Sequence, residues 1–122
     1  MIDLVNSYSS ILKSWEINEY DIQGFSFRFK ATLKIKDNST LVIKEYYFSE
    51  VPKRKYSYHW MNKNEELLIR WDNSEHWNAI DTYPNHAHHK SNSNVKPSHI
   101  NTLLEVLEYI SQKINSKNAK NK

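Results

Sequence analysis

Cysteine is absent from the 122-residue chain. That excludes a disulfide scaffold, a thiolate zinc site and a cysteine nucleophile. Glycine occurs once, at Gly24, so no glycine-rich phosphate loop of the P-loop or dinucleotide type can be built. Turns then fall to asparagine, the other residue that tolerates positive φ. No apolar run approaches the roughly 20 residues of a membrane span, and no membrane association is expected. The opening MIDLVNSYSS lacks the basic-then-apolar layout of a signal peptide, which makes a cytoplasmic location the expectation.

Aromatic residues are plentiful: four Trp, eight Tyr and four Phe. Those rings suffice to build a core despite a mean hydropathy of -0.81. The length suits one domain over residues 1–115, since two cores would leave about 60 residues each, a marginal size. The net charge of +3 permits a nucleic-acid partner without requiring one. Part of that charge lies in Lys117, Lys120 and Lys122, expected to form a disordered basic tail over 116–122.

Hydrophobic spacing organises the rest. Leu4, Val5, Tyr8, Ile11, Leu12 and Trp15 recur every three or four residues and predict an N-terminal helix ending before Ile17. Phe25, Phe27, Phe29, Ala31, Leu33 and Ile35 alternate with polar residues, which predicts a half-buried strand with a cationic outer face. A turn at Asp37-Asn38-Ser39 leads into a second strand, Leu41 to Phe48. Tyr56 to Met61 and Leu67 to Asp72 give two more. The polar stretch from Asn73 to Pro97 has no sustained period and reads as one long His-rich loop. Ser98 then reads as the N-cap of a final helix whose stripe, Ile100, Leu103, Leu104, Leu107, Ile110 and Ile114, ends near Asn115. The expected fold is α+β: a four-stranded antiparallel meander with an N-terminal and a C-terminal helix packed on one face.

Hairpin register sorts the side chains by face. Aligning Met61 with Glu66 places His59 opposite Leu68 and Ser57 opposite Arg70. Tyr56, Tyr58, Trp60, Leu67, Ile69 and Trp71 then face the core, and Ser57, His59, Arg70 and Asp72 share the other face with Arg28 and Lys30. Charged residues on a solvated sheet face need no further purpose. Asp72 differs, since it ends a strand and opens a loop, where functional groups concentrate.

Histidine is the sharper signal. His76, His86, His88 and His89 fall within fourteen residues. Two imidazoles placed together can serve as base and acid in one reaction. Cleavage of RNA through its own 2′-hydroxyl needs that pair and a cation on the crowded phosphate. His86 or His88 with His76 supplies the pair and Arg70 the cation, with Asp72 orienting one of them. No metal or other cofactor is called for on that route. Arg28, Lys30 and Lys90 would guide phosphates, with His59 on the same face, and Trp77 and Tyr83 could stack on unpaired bases. Two alternatives stay open: a metal site on His86, His88 and either His76 or Asp72, and a polar loop with no task. A non-enzymatic interaction protein or an RNA-binding accessory is the alternative class of function.

The stretch Tyr56-Ser57-Tyr58-His59-Trp60, then Arg70-Trp71-Asp72-Asn73 with His76, then Thr82-Tyr83-Pro84-Asn85-His86-Ala87-His88 resembles the TumE-like toxins of prokaryotic toxin–antitoxin pairs. The closing LLEVLEYI helix matches as well, and the likeness runs from about Trp15 to Ile114. The chain departs from the family pattern at Trp77 and Asn85, where histidine is often found. The resemblance implies a small toxin neutralised by a cognate antitoxin, expected to be a helix-turn-helix protein. Endoribonuclease action is the extension drawn from the histidine and arginine chemistry. Oligomer formation stays open.

Overall fold

The computed structural model describes residues 1–120. Its architecture is α+β. A short helix α1 (Ile2–Ser7) and a single 3-10 turn (Ser9–Ile11) lead into seven strands: β1 (Leu12–Gln23), β2 (Ser26–Ile35), β3 (Thr40–Phe48), β4 (Lys53–Met61), β5 (Leu67–Asp72), β6 (His86–His89) and β7 (Val95–Pro97). Helix α2 (Leu103–Lys120) closes the described chain. The strands form one antiparallel sheet in chain order, each paired with its sequence neighbours.

The core lies on one face of the sheet. Phe29, Ala31, Leu33 and Ile35 from β2 meet Leu41 and Ile43 from β3, Tyr58 from β4 and Trp71 from β5. Helix α2 covers them with Leu103, Val106, Leu107, Ile110 and Ile114, and Tyr109 meets Trp60 and Trp71 edge-on. Burying a stripe of this kind stabilises the fold by about 1.5–3 kcal/mol per large apolar side chain. Helix α1 adds Val5, and the Tyr8 hydroxyl donates to the Glu108 carboxylate, which ties the two helices together.

The sheet has seven strands where the spacing predicts four. The first extra strand replaces most of the expected N-terminal helix. Trp15, Ile17 and Glu19 are half-buried between the exposed Glu16 and Asn18, which is strand periodicity. Irregularities between Leu12 and Ser14 and between Ile17 and Glu19 break the alternation, so the sequence shows helix-like spacings instead. The other two strands, β6 and β7, lie inside the expected loop. The buried polar positions of β6 are histidines, which a hydrophobicity pattern does not register, and β7 is only three residues long, Val95–Pro97.

The last helix also starts later and runs longer than its stripe suggests. Thr102 Oγ1 accepts the Glu105 amide at 3.2 Å, and the Glu105 carboxylate accepts from the Thr102 hydroxyl at 2.9 Å and the Asn101 amide at 3.2 Å. That is a variant of the capping box in which the carboxylate reaches the amide before the cap, and it fixes the start that Ser98 was expected to set. The Ser98 hydroxyl instead accepts the Ile100 amide ahead of the helix. The helical backbone continues through Lys120, past the predicted end near Asn115, and residues 121–122 of the predicted basic tail lie outside the described residues.

Candidate functional site

The β4–β5 register differs from the one expected and leaves the faces unchanged. Ser57 pairs with Asp72 and His59 with Arg70, and an irregularity between Trp60 and Met61 takes up the difference. The offset is two residues for the body of the hairpin. An even shift preserves which side chains share a face. Ser57, His59, Arg70 and Asp72 therefore lie together on the sheet face opposite α2.

Strand β6 completes the group. Asp72 pairs with His86, and Arg70 with His88. Two rows of side chains then cross the open face at the roughly 4.8 Å strand spacing. One runs Lys30, Lys44, Ser57, Asp72, His86; the other runs Thr32, Val42, His59, Arg70, His88. A third, shorter row holds Arg28, Tyr46 and Lys55, with Arg28 and Lys30 both over the Tyr46 ring at 5.5 and 5.9 Å.

Asp72 is the hub. Its Oδ1 accepts the Ser74 amide at 3.0 Å and the Ser74 hydroxyl at 2.9 Å, and its Oδ2 accepts Arg70 Nε at 3.1 Å. His86 Nε2 lies 2.8 Å from Oδ1 and His88 Nε2 3.3 Å from Oδ2. The His86 contact is close without hydrogen-bond geometry, and its Nε2 has no hydrogen-bond partner among the described residues. The far nitrogen of each ring meets a main-chain carbonyl: His86 Nδ1 reaches Pro84 O at 3.0 Å, and His88 Nδ1 reaches Asn92 O at 2.9 Å. The imidazole centroids are 4.9 Å apart, and Trp77 stands edge-on to His88 at 6.3 Å. Arg70 Nη1 donates to Asn92 Oδ1 at 2.8 Å, which fixes the guanidinium over the hub.

Burial divides the histidines. His86 and His88 are 1% and 3% exposed, so neither ring is open to a polymer substrate. His59 is half-buried and His76 exposed. Those two line an open cleft of about 650 Å³ with Lys44, Lys55, Ser57, Arg70, Asp72 and Ser74. Burial opposes ionisation of Asp72, but the Ser74 bonds, His86 and Arg70 outweigh it and hold the carboxyl below its usual range. Burial, then the charges of Arg70 and Lys44, push the His59 pKa down. Burial also leads the downward shift at His88.

The structure thus gathers Arg70, Asp72, His86 and His88 at one point, and brings His59 and His76 to the adjoining cleft. Arg28 and Lys30 share the face at a distance of three strands from Asp72. Trp77 packs beside the group. Tyr83 is exposed in the segment before β6 and is not part of the cleft lining. Lys90 faces elsewhere, in a concavity with Trp60, Leu68, His89 and Tyr109. Sequence reasoning omitted Lys44, Lys55, Ser74 and Asn92. The two lysines carried a signal in their strand parity; the serine and asparagine carried none.

A second polar group sits on the core side. Arg54 Nε donates to Glu45 Oε1 at 3.0 Å, the Tyr58 hydroxyl donates to the same oxygen at 2.6 Å, and Arg54 donates to the Asn101 carbonyl. Glu45 is buried there, so the network satisfies a charge that would otherwise be stranded. The Arg54 guanidinium lies 4.5 Å from the Tyr56 ring centroid, and burial together with Glu45 pushes the Tyr58 hydroxyl pKa upward.

Among the described residues no helix is long and apolar enough to cross a membrane. No curated protein and no solved structure gives a significant match to this chain. The family model of the toxin TumE matches residues 1–114, covering the sheet, the Asp72 group and most of α2, and the chain belongs to that toxin family.

Proposed function

We propose that this toxin is an endoribonuclease that takes single-stranded RNA across its open sheet face. The observation that carries the reading is the convergence of the cation rows on the cleft where His59, His76 and Arg70 meet. Lys30, Lys44, Arg28 and Lys55 neutralise successive phosphates and lead the chain toward that cleft. There His59, held neutral by burial and neighbouring cations, removes the 2′-hydroxyl proton. The freed oxygen attacks the adjacent phosphorus, and the P–O5′ bond breaks. His76 protonates the departing oxygen, and Arg70 stabilises the charge on the phosphate between them. Asp72 orients Arg70. His86 and His88, too buried to trade protons with RNA, pack against Asp72 from behind. As a toxin-family member the protein has a cognate antitoxin. An antitoxin covering the open face would block the whole path, and a helix-turn-helix protein is the expected class.

The test is purified protein with labelled single-stranded RNA. Cleavage with 2′,3′-cyclic phosphate ends, reduced at least about 100-fold in His59→Ala and His76→Ala, is the expected result, because losing an acid or base typically costs 10²–10⁴. Growth arrest that persists unchanged in both variants, with RNA left intact, would overturn the proposal and favour a blocking interaction with a protein.

A further inference from the structure

We infer that Asp72, His86 and His88 form a binding site for one divalent transition-metal ion of the zinc class. One donor atom from each lies within 4.8 Å of the others, and all three side chains are buried. Ligand bonds to such an ion are about 2.0–2.2 Å, which sets tetrahedral donors roughly 3.3–3.6 Å apart, so small rotations of the rings bring the three donors to ligand spacing.

The hydrogen bonding demands a cation. Pro84 O and Asn92 O, being carbonyl oxygens, can only accept, so the Nδ1 atoms facing them carry the ring protons. A neutral imidazole has one N–H. The Nε2 atoms are then lone pairs, and both lie within 3.3 Å of a carboxylate that is itself an acceptor. His86 Nε2 is the clearest case: it is fully buried and has no hydrogen-bond partner among the described residues. Two facing lone pairs and a carboxylate are what a metal ion satisfies. The alternative puts a second proton on His86, placing a fully buried imidazolium beside Asp72 and Arg70, where the charge carries a desolvation cost.

The surroundings are those of a ligand set. Each imidazole is fixed through Nδ1–H to main chain, which sets its tautomer and aims Nε2 inward. The carboxylate is held by Ser74 and by Arg70. Two imidazoles with one carboxylate favour zinc, cobalt, iron or nickel over magnesium or calcium, which prefer all-oxygen sites. Three protein ligands leave a further position, and Asp72 opens onto the cleft on that side. The site lies between β5 and β6, so an ion there would also clip those strands together.

The test uses the full chain, stripped with chelator, dialysed, and titrated with Co²⁺ and then Zn²⁺. The expected result is one equivalent of Co²⁺ bound with visible d–d bands, displaced by Zn²⁺. His88→Gln and Asp72→Asn, checked for fold by circular dichroism, should lose those bands, and His59→Ala and His76→Ala should keep them. Folded wild-type protein with no band, or full binding in a His86→Gln/His88→Gln double variant, would overturn the inference. If the variants do not fold, imidazole ¹⁵N spectra of the wild type decide. Zn²⁺ must shift Nε2 of both rings, and unmoved signals sink the site. Since RNA cleavage is not read in these measurements, this site and the nuclease reading stand or fall separately.

Discussion

Replacing Lys44 and Lys55 with glutamine should flatten the salt dependence of RNA binding by a predictable amount. Four cations line the approach to the cleft: Arg28, Lys30, Lys44 and Lys55. Arg70 is left out because Asp72 already compensates it. Each phosphate neutralised on a single strand contributes about -0.7 to the slope of log K against log salt, so four give a slope of about -2.8. Between 50 and 200 mM salt, chosen as assay limits, that is an affinity loss of about 50-fold, and the double variant, with a slope of about -1.4, should lose only about 7-fold. Both lysines are exposed on strand bodies, so the fold should be untouched. Fluorescence anisotropy with an oligonucleotide carrying 2′-deoxy sugars, which cannot be cut, separates binding from turnover. A double-variant slope equal to that of the wild type would refute the placement of RNA on this face. So would an equal flattening in a Lys113→Gln control, since that residue lies on α2 across the sheet.

Removing the Arg54 side chain should strand the buried Glu45 charge and destabilise the fold by about 2 kcal/mol, less than the 3–5 typical of a fully buried pair because Arg54 is partly exposed. Urea denaturation reads this, and Glu45→Gln in the same background should recover part of the loss. Thr102→Ala should cost about 1 kcal/mol by opening the cap of α2, measured the same way; a change under about 0.3 kcal/mol would show that Glu105 holds the helix start without it. The pH profile of RNA cleavage tests His59. Its pKa is lowered by burial and by Arg70 and Lys44, with Asp72, Lys55 and His76 also around the cleft. The neutral, base-competent form therefore persists below the ordinary value of about 6.5, and the acid limb should fall there. Lys44→Gln removes a neighbouring positive charge and should move the limb to higher pH; a shift to lower pH, or none, would assign the base elsewhere.

Where alternation was carried by apolar residues, the sequence was legible. The second to fifth strands and the division of their faces could be read from Phe29 to Leu33, Leu41 to Ile43 and Tyr56 to Trp60. Strand β6 could not, because it has one apolar core-facing residue, Ala87, between two buried histidines on the opposite face. His86 and His88 behave as core residues only once Asp72 and Trp77 surround them, and that is tertiary information. Helix-like spacing in β1 came from the irregularity between Leu12 and Ser14, which sets the buried Leu12 three residues ahead of Trp15. The site was half visible. Arg70, Asp72 and the His-Ala-His run come together in the fold, but only burial, which the sequence does not display, separates the rings packed on the carboxylate from those lining the open cleft. Parity survived an incorrect register, since a two-residue offset leaves every side chain on its own face.

Strand order has a consequence for when the protein becomes dangerous. Because every strand bonds only to its chain neighbours, the sheet can grow hairpin by hairpin as the polypeptide emerges. The first four strands, His59 among them, can pair while Arg70, Asp72, His86 and His88 are still inside the ribosome. The Asp72 group then stays incomplete until the fifth and sixth strands meet, and the apolar underside stays uncovered until α2 arrives. The chain therefore passes through an interval in which half of its sheet is already paired and the Asp72 group does not yet exist.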